Sequence, residues 1–465
     1  MLTSFAILTL GCKVNQYESQ QIRQFLESYG LRQVDPSQQP QLVIVNTCCV
    51  THTASAKSRH FSHLAQKHHP EAVVICGCLP AVQTDELPAA GENVRVVKDR
   101  RDLTATLRSL VTDQATTPDA QCSKCLNPSI RAQSDDKVKS KNDLQPPDDL
   151  PSLSRFQDQT RAFLKIQDGC DASCSYCIIP TARPAVRFKM AAEILAEATA
   201  LVGTGHKEIV LTGVHLGAYG YETARRRNWP DKENVHLPAL LDRVAQIPNL
   251  ARIRLSSLDP ADVTPRLMDV FAGHPNIMPH LHLSLQSGSD NILRRMARPY
   301  TADDFRQKVA LIQARLDRPA ITTDIIVGFP GETDADFDQT VALAKEVAFA
   351  KMHVFAFSAR QGTPAAGMQP KLSTELKKAR SQILRALDQT LQTQFRAQFV
   401  GETAQVLIET TTPHPAGRAE RYFMVEIVDG SYQSHVSHRS HSPNDLVGVT
   451  LEENARDAIL ATALP

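Results

Sequence analysis

Cys170-Asp-Ala-Ser-Cys174-Ser-Tyr-Cys177 follows directly on an apolar stretch, Phe163-Leu164-Lys165-Ile166. The C-x3-C-x2-C spacing brings three soft thiolates within reach of one iron–sulfur cluster. Each thiolate takes one iron of a four-iron cluster, which leaves the fourth iron open to a small molecule. Structural zinc closes its shell with four protein ligands and this loop has three, so the spacing favours a cluster over a zinc knuckle or a disulfide.

The stretch before the loop opens a repeating series. Phe163–Ile166, Glu208–Thr212, Arg252–Leu255, His280–Gln286, Thr323–Val327 and His353–Phe357 read as strands with helical stretches between them. One such stretch is Ala191–Val202, with Ile194, Leu195, Ala198, Leu201 and Val202 at helical spacing. Six strand–helix units predict a partial (β/α)6 barrel, with chemistry on the loops after the strands, where the cysteine loop lies. Leu281-His282-Leu283-Ser284-Leu285-Gln286 alternates strictly. Its leucines are expected to face the helices, and His282, Ser284 and Gln286 the barrel interior. Asp324-Ile-Ile-Val-Gly328-Phe-Pro-Gly331-Glu332 reads as a strand and a glycine turn that lets backbone approach a ligand.

Upstream, Phe5–Leu10, Leu42–Val45 and Ala72–Ile75 read as strands, with helices at about Asn15–Tyr29 and Ala54–His68 between them. This is the pattern of a parallel-sheet α/β domain, in which ligands sit beyond the carboxyl ends of the strands. Cys12, Cys48 and Cys78 each lie at such an end, and together predict a second three-thiolate site. Cys49 beside Cys48, and Cys76 before Cys78, are the alternatives. A lone cysteine is usually a buried apolar thiol, but three at equivalent strand ends outweigh that reading. The N-terminal apolar run lacks a positive flank and reads as a first strand, not a signal peptide.

Residues 116–155 are rich in Pro, Ser, Gln, Asp and Lys and read as a linker between a domain at 1–115 and a barrel at 156–386. Cys122-Ser-Lys-Cys125 within it is weak evidence for a metal. Residues 387–465 carry short strand-like runs, Ala404–Glu409 and Tyr422–Ile427, punctuated by glycines, and predict a small all-β barrel of a kind that binds single-stranded nucleic acid. From Gly401 on, however, there are four arginines, no lysine and nine acids. RNA contact would rest on single arginines, Arg418 and Arg421, and on the run Arg225-Arg226-Arg227 in the barrel. The formal net charge of +1 gives no global nucleic-acid signal, and no apolar run approaches a membrane span. Ten cysteines without a secretion signal imply a reducing compartment, the cytoplasm.

These motifs resemble one family. Thr9-Leu-Gly-Cys12-Lys-Val-Asn15-Gln-Tyr-Glu-Ser19, Val45-Asn-Thr-Cys48, Gly77-Cys78, the cysteine loop, Glu208–Gly213, Leu283–Gly288, Arg295–Tyr300 and His353–Ser358 look like the radical S-adenosylmethionine (SAM) methylthiotransferases, and the last domain resembles their TRAM domain. The Gly-Cys-Lys-Val-Asn-Gln form resembles the branch that acts on N6-threonylcarbamoyladenosine beside the tRNA anticodon. Other branches act on isopentenyladenosine or on a ribosomal-protein aspartate; a non-catalytic iron–sulfur RNA-binding protein is the remaining alternative.

The resemblance implies two [4Fe-4S] clusters, a SAM-cleaving one on Cys170, Cys174 and Cys177 and a sulfur-handling one on Cys12, Cys48 and Cys78. It also implies SAM, a tRNA anticodon loop, a low-potential electron donor and a sulfur donor as partners. Tyr176, Thr212, Gly213, Ser284, Gln286, Gly328 and Glu332 are the expected SAM contacts. Where the family reads Arg-Gly-x-x-Arg-Ser, this chain has Arg183-Pro184-Ala-Val-Arg187-Phe188.

Overall fold

The computed structural model describes residues 2–67, 69–83, 87, 92–112, 150–230, 233–428, 441–455 and 457–464. Cys122 and Cys125 lie outside them.

The first sheet is built from β-branched runs buried on both faces, as a covered parallel sheet requires. β1 (Ser4–Thr9), β3 (Leu42–Thr47) and β4 (Ala72–Gly77) are parallel, flanked by the short β2 (Arg32–Gln33) and β5 (Val94–Val96), in the order β2-β1-β3-β4-β5. Leu42, Ile44 and Val74 pack with Phe5, Ile22 and Leu26 on one face, and Val43, Val45, Val73 and Ile75 form the core of the other. The helices are α1 (Lys13–Ser28) and α2 (His52–Leu64), the second ending four residues before the expected His68.

All six expected barrel strands are present: β6 (Arg161–Asp168), β8 (Glu208–Gly213), β9 (Arg252–Leu255), β10 (His280–Gln286), β11 (Ala320–Val327) and β12 (Lys351–Ala356), with a two-residue β7 (Arg187–Phe188) antiparallel to β6. They form two sheets, β7-β6-β8-β9 and β10-β11-β12, joined by isolated bridges such as Leu258 to Leu283. The barrel is partial and open beyond β12. Leu281, Leu283 and Leu285 enter the main core, as their alternation predicts.

The C-terminal region is a closed antiparallel-rich barrel, with β13 (Thr403–Thr410), β14 (Ala416–Arg418), β15 (Met424–Ile427), β17 (Ile459–Ala463) and β16 (Leu446–Asn454) in that order. Helix Thr374–Ala397 runs through the expected boundary at 386 without a break. Its Leu384 and Leu391 belong to the central core, and Phe395 belongs to the small barrel's core.

Residues 150–158, expected to be linker up to 155, lie along α1 instead. Gln24 Nε2 donates to Ser152 O (2.9 Å), Ser154 N donates to Gln24 Oε1 (2.8 Å), and Leu150 and Leu153 are buried. A polar composition says little about a segment whose backbone groups are met by glutamines of a neighbouring helix.

Candidate functional site

Gln167 holds the cysteine loop to the strand ends. Its Nε2 donates to Asp168 O (2.9 Å) and Gly169 O (2.8 Å), and its Oε1 accepts from His215 N (2.7 Å). Gly169 turns the chain at φ +75°, and a Cβ there would lie 1.8 Å from Ala185 O. Only glycine fits so close an approach at positive φ. Gly169→Ala is therefore expected to cost at least about 1–2 kcal/mol from backbone strain alone and to displace the 183–185 segment. Anaerobic urea unfolding and iron content check this, and unchanged values of both would refute it.

Cys170, Cys174 and Cys177 lie within electrostatic reach of one another. The loop is braced from outside: Ala172 N donates to Cys170 Sγ (3.4 Å) and Arg298 Nη1 to Cys174 Sγ (3.2 Å). The Arg298 side chain is buried and fixed by Asp259 Oδ2 (2.6 Å) and Tyr300 Oη (2.9 Å). Its positive charge faces the Cys174 sulfur, not solvent.

The other three cysteines converge at the ends of β1, β3 and β4. A Cβ on Gly11 would lie 2.9 Å from Cys48 Cβ, and one on Gly77 would lie 2.4 Å from Thr47 O, so these loops meet closely only because both positions are glycine at positive φ. Cys12, Cys48 and Cys78 interact with one another electrostatically. Cys76 is inside β4, in an apolar cluster, and Cys49 is buried beside Cys78. Cys78 is pulled down to about 6, first by a hydrogen bond from the Cys49 thiol and then, against burial, by the Arg183 guanidinium.

The donor sets fit clusters better than single ions. Among the described residues, neither cysteine triad has its three sulfurs within 4.8 Å of one another. A single zinc, with Zn–S of about 2.3 Å, would need them closer. Burial pushes Cys170 up to about 12, and Cys48 and Cys177 up to about 11. Thiolates there need the positive charge of bound iron.

Between the two cysteine sites lies a buried charge network that the sequence reading did not identify. Arg183 Nη1 donates to Glu18 Oε1 (2.7 Å) and Asp168 Oδ1 (2.8 Å), Nη2 donates to Glu18 Oε2 (2.8 Å), and Nε lies 3.2 Å from Cys78 Sγ. Lys165 Nζ donates to Glu18 Oε1 (3.1 Å) and Asp168 Oδ2 (3.0 Å), and Arg100 also pairs with Glu18. Burial alone would raise both carboxyls. The surrounding cations outweigh it and hold Glu18 and Asp168 below the ordinary carboxylate range. Lys165, a charge inside an apolar strand, was the available sequence signal.

The expected SAM contacts divide. Thr212 and Gly213 end β8 next to Gln167, and Ser284 and Gln286 end β10, Gln286 at φ +68°. Tyr176 is packed against Ile292, Met296, Phe329 and Ala365. The Glu332 carboxylate is taken up in bracing its own turn: Oε2 accepts from Gly328 N (2.8 Å), and Arg380 Nη1 donates to it at 2.5 Å.

Three of the arginines expected at RNA are engaged within the protein. Arg418 pairs with Glu409 (3.3 Å) and lies over the Tyr422 ring, and Arg421 donates to Asp317 Oδ2 and Arg318 O (both 3.0 Å). Arg226 pairs with Asp262 and lies over Trp229. These guanidiniums hold elements together, through partners from 3 residues away (Trp229 for Arg226) to 104 (Asp317 for Arg421). Arg225, tied to Asp171 O (2.9 Å), and Arg227 remain exposed.

A cavity of about 500 Å³ opens between the Cys12 loop and the inner face of β9–β12. His282, Asp324 and His353 meet there with ligand atoms within 4.8 Å of one another. Tyr422, from the small barrel, forms one wall, stacked on His280 at 4.3 Å.

A parallel six-stranded half-barrel carrying a C-x3-C-x2-C loop beyond its first strand defines a radical-SAM enzyme. The Radical SAM superfamily matches residues 164–344, and the uncharacterized protein family UPF0004 matches residues 4–98. The chain is 34% identical over 410 residues to the threonylcarbamoyladenosine tRNA methylthiotransferase MtaB of Bacillus subtilis, covering 88% of this chain and 85% of that one. It is also 34% identical to the MtaB of Thermotoga maritima, with coverages of 93% and 90%. The tRNA-2-methylthio-N(6)-dimethylallyladenosine synthase of Neorickettsia sennetsu is 33% identical, with coverages of 90% and 86%. Among solved structures, the radical SAM methyltransferase TsrM of Kitasatospora setae shares the fold, with a TM-score of 0.52 and 14% identity over 79% of this chain and 74% of that one. The chain belongs to the radical-SAM tRNA methylthiotransferase family.

Proposed function

We propose that this enzyme adds a methylthio group to C2 of N6-threonylcarbamoyladenosine at position 37 of tRNA. In this reading Cys170, Cys174 and Cys177 hold the SAM-binding cluster, and Cys12, Cys48 and Cys78 hold the second. SAM and the clusters, when bound, supply the radical and the sulfur. The chain's own part is to hold the thiolates, exclude water and receive a base splayed from the anticodon loop. The observation that carries the reading is Arg183, which touches Cys78 at one end and, at the other, Asp168 beside the Cys170–Cys177 loop. One rigid side chain thus spans both candidate cluster sites, as transfer between them demands.

Relatives named for threonylcarbamoyladenosine and for dimethylallyladenosine are almost equally similar, so identity alone does not choose between them. The Lys13-Val14-Asn15 context after Cys12 favours the former. A low-potential electron donor and a sulfur donor complete the proposed partners. Among the described residues no helix is long and apolar enough to cross a membrane. The eight described cysteines form no disulfide, which supports a reducing cytoplasmic setting.

In a strain lacking the gene, mass analysis of tRNA nucleosides is expected to show N6-threonylcarbamoyladenosine without its 2-methylthio derivative. Unchanged thiomethylation would overturn the tRNA substrate. Loss of methylthio from dimethylallyladenosine instead would move the enzyme to that branch.

A further inference from the structure

The cavity beside Cys12 has an unusual charge balance. Asp324 is the lone acid among its lining residues, and it is engaged: its Oδ2 lies 3.3 Å from His282 Nε2, whose ring is fixed from behind by Thr322 Oγ1 at 2.9 Å from Nδ1. Of the permanent cations in the wall, Arg161 pairs with Glu409 (3.1 Å) and Arg254 with Glu208 (2.9 Å). Lys13 is different. It is half-buried, its charge is felt at Asp324, His353 and Tyr422, and its ammonium has no hydrogen bond or ion pair with any described residue. A half-buried cation without a partner is costly unless an anion arrives. Phe355, in the edge strand β12, lines the same cavity and is 43% exposed. An exposed aromatic ring facing a cavity is a stacking surface for an unstacked base. A volume of about 500 Å³ suits a nucleobase with a substituent.

We infer that this cavity receives the extruded adenine, with Phe355 stacked on the base and the Lys13 ammonium paired with the carboxylate of the N6-threonylcarbamoyl group. His353 lines the same cavity and offers a ring nitrogen to the hydroxyl and carbamoyl, while the His282 ring is already held by Thr322 and Asp324. The inference rests on the function proposed above and deepens it, because it names how the enzyme tells this base from one with an apolar N6 substituent. A site built to pair a buried charge rejects an analogue lacking the complementary group far more strongly than an apolar pocket rejects a wrong shape. It also sets the base beside Cys12, the first ligand of the proposed sulfur-handling cluster. A divalent cation on His282, Asp324 and His353 is disfavoured by the Lys13 charge, which is felt at Asp324 and His353.

The test uses reconstituted full-length enzyme and three anticodon stem-loop RNAs differing only at position 37: threonylcarbamoyladenosine, adenosine and dimethylallyladenosine. The wild type is expected to bind the first most tightly. Lys13→Met should weaken that RNA by about tenfold to a hundredfold, the range of a charge-assisted hydrogen bond, and change the other two by less than about twofold. Lys13→Arg should keep the preference. Phe355→Leu should weaken all three RNAs alike, by about tenfold.

A wild-type preference that survives Lys13→Met overturns the inference and leaves the proposed function standing. Absence of the preference in the wild type overturns both. Equal weakening of all three RNAs by Lys13→Met makes Lys13 a phosphate contact, and weaker binding of SAM without RNA makes it a contact for the methionine carboxylate; either result overturns the inference. So does a stoichiometric zinc or manganese that disappears in His353→Ala, which would put a cation where the carboxylate is placed.

Discussion

Replacing Cys170, Cys174 and Cys177 together by alanine is expected to abolish formation of 5′-deoxyadenosine from SAM and to leave about half the iron of the wild type. The physical basis is the geometry of the two triads. Each is gathered by its own set of loops, one beyond β6 and the other beyond β1, β3 and β4, and they share no ligand. Removing the first three thiols deletes one cluster and leaves Cys12, Cys48 and Cys78 in place. Burial around the first loop strengthens the expectation, because thiols pushed up to about 11 or 12 do not form thiolates unless iron is there to hold them. Iron analysis, together with 5′-deoxyadenosine measured after anaerobic reduction with SAM, reads the outcome. Retained SAM cleavage would refute the assignment of this loop. Complete loss of iron would mean either that the other three cysteines are misassigned or that the two sites do not form independently.

Arg183→Met is expected to cost about 3–5 kcal/mol, the usual penalty for removing one partner from a buried charge network. The side chain satisfies two carboxylates that the fold has taken almost completely out of water, Glu18 at 0% exposure and Asp168 at 7%. Methionine fills a similar volume but leaves Lys165 and Arg100 to balance both. The pH dependence gives the sign. Both carboxyls sit below their ordinary range in the folded protein, so their contribution is complete above about pH 4 and is lost as the pH falls below it. The stability difference between wild type and Arg183→Met should therefore be largest near neutrality and shrink in acid. Anaerobic urea unfolding at several pH values measures it; a gap that is constant or widens in acid would refute the account. The same substitution removes the contact to Cys78 Sγ, so iron bound at the N-terminal site should become easier to extract with chelator.

The same network shows how far a linear reading reaches. All six barrel strands were legible, because each is an apolar run bounded by turn residues and followed by a helix at 3.6-residue spacing. The C-x3-C-x2-C loop was legible because its donors lie within eight residues. Cys12, Cys48 and Cys78 were found through a topological rule: strands of one parallel sheet deliver their loops to one edge. Glu18 stood inside a quoted motif without a role, since a glutamate on an amphipathic helix is ordinarily a solvated charge. Lys165, Asp168 and Arg183 gave no reason to be joined to it until the domains were packed together. The arginines mark the opposite failure. Composition treated Arg418 and Arg421 as candidates for RNA; in the fold Arg418 pairs with Glu409 of the adjacent strand in the small barrel, and Arg421 with Asp317 of the central one.

The sequence by itself determined the fold class, the two groups of three cysteines and the family, because these depend on local periodicity and on spacings within short loops. Only the tertiary structure decided which charges are buried partners and which remain available. Charge pairing is a matter of distance in space, between residues as far apart in sequence as Arg183 and Glu18, and the same guanidinium is a ligand hook or a structural clamp according to what lies within about 3 Å of it. Lys13 and Arg183 show both results. Each reads as one basic residue near a cysteine, but Arg183 is saturated by Glu18, Asp168 and Cys78, while Lys13 faces a cavity and has no partner among the described residues.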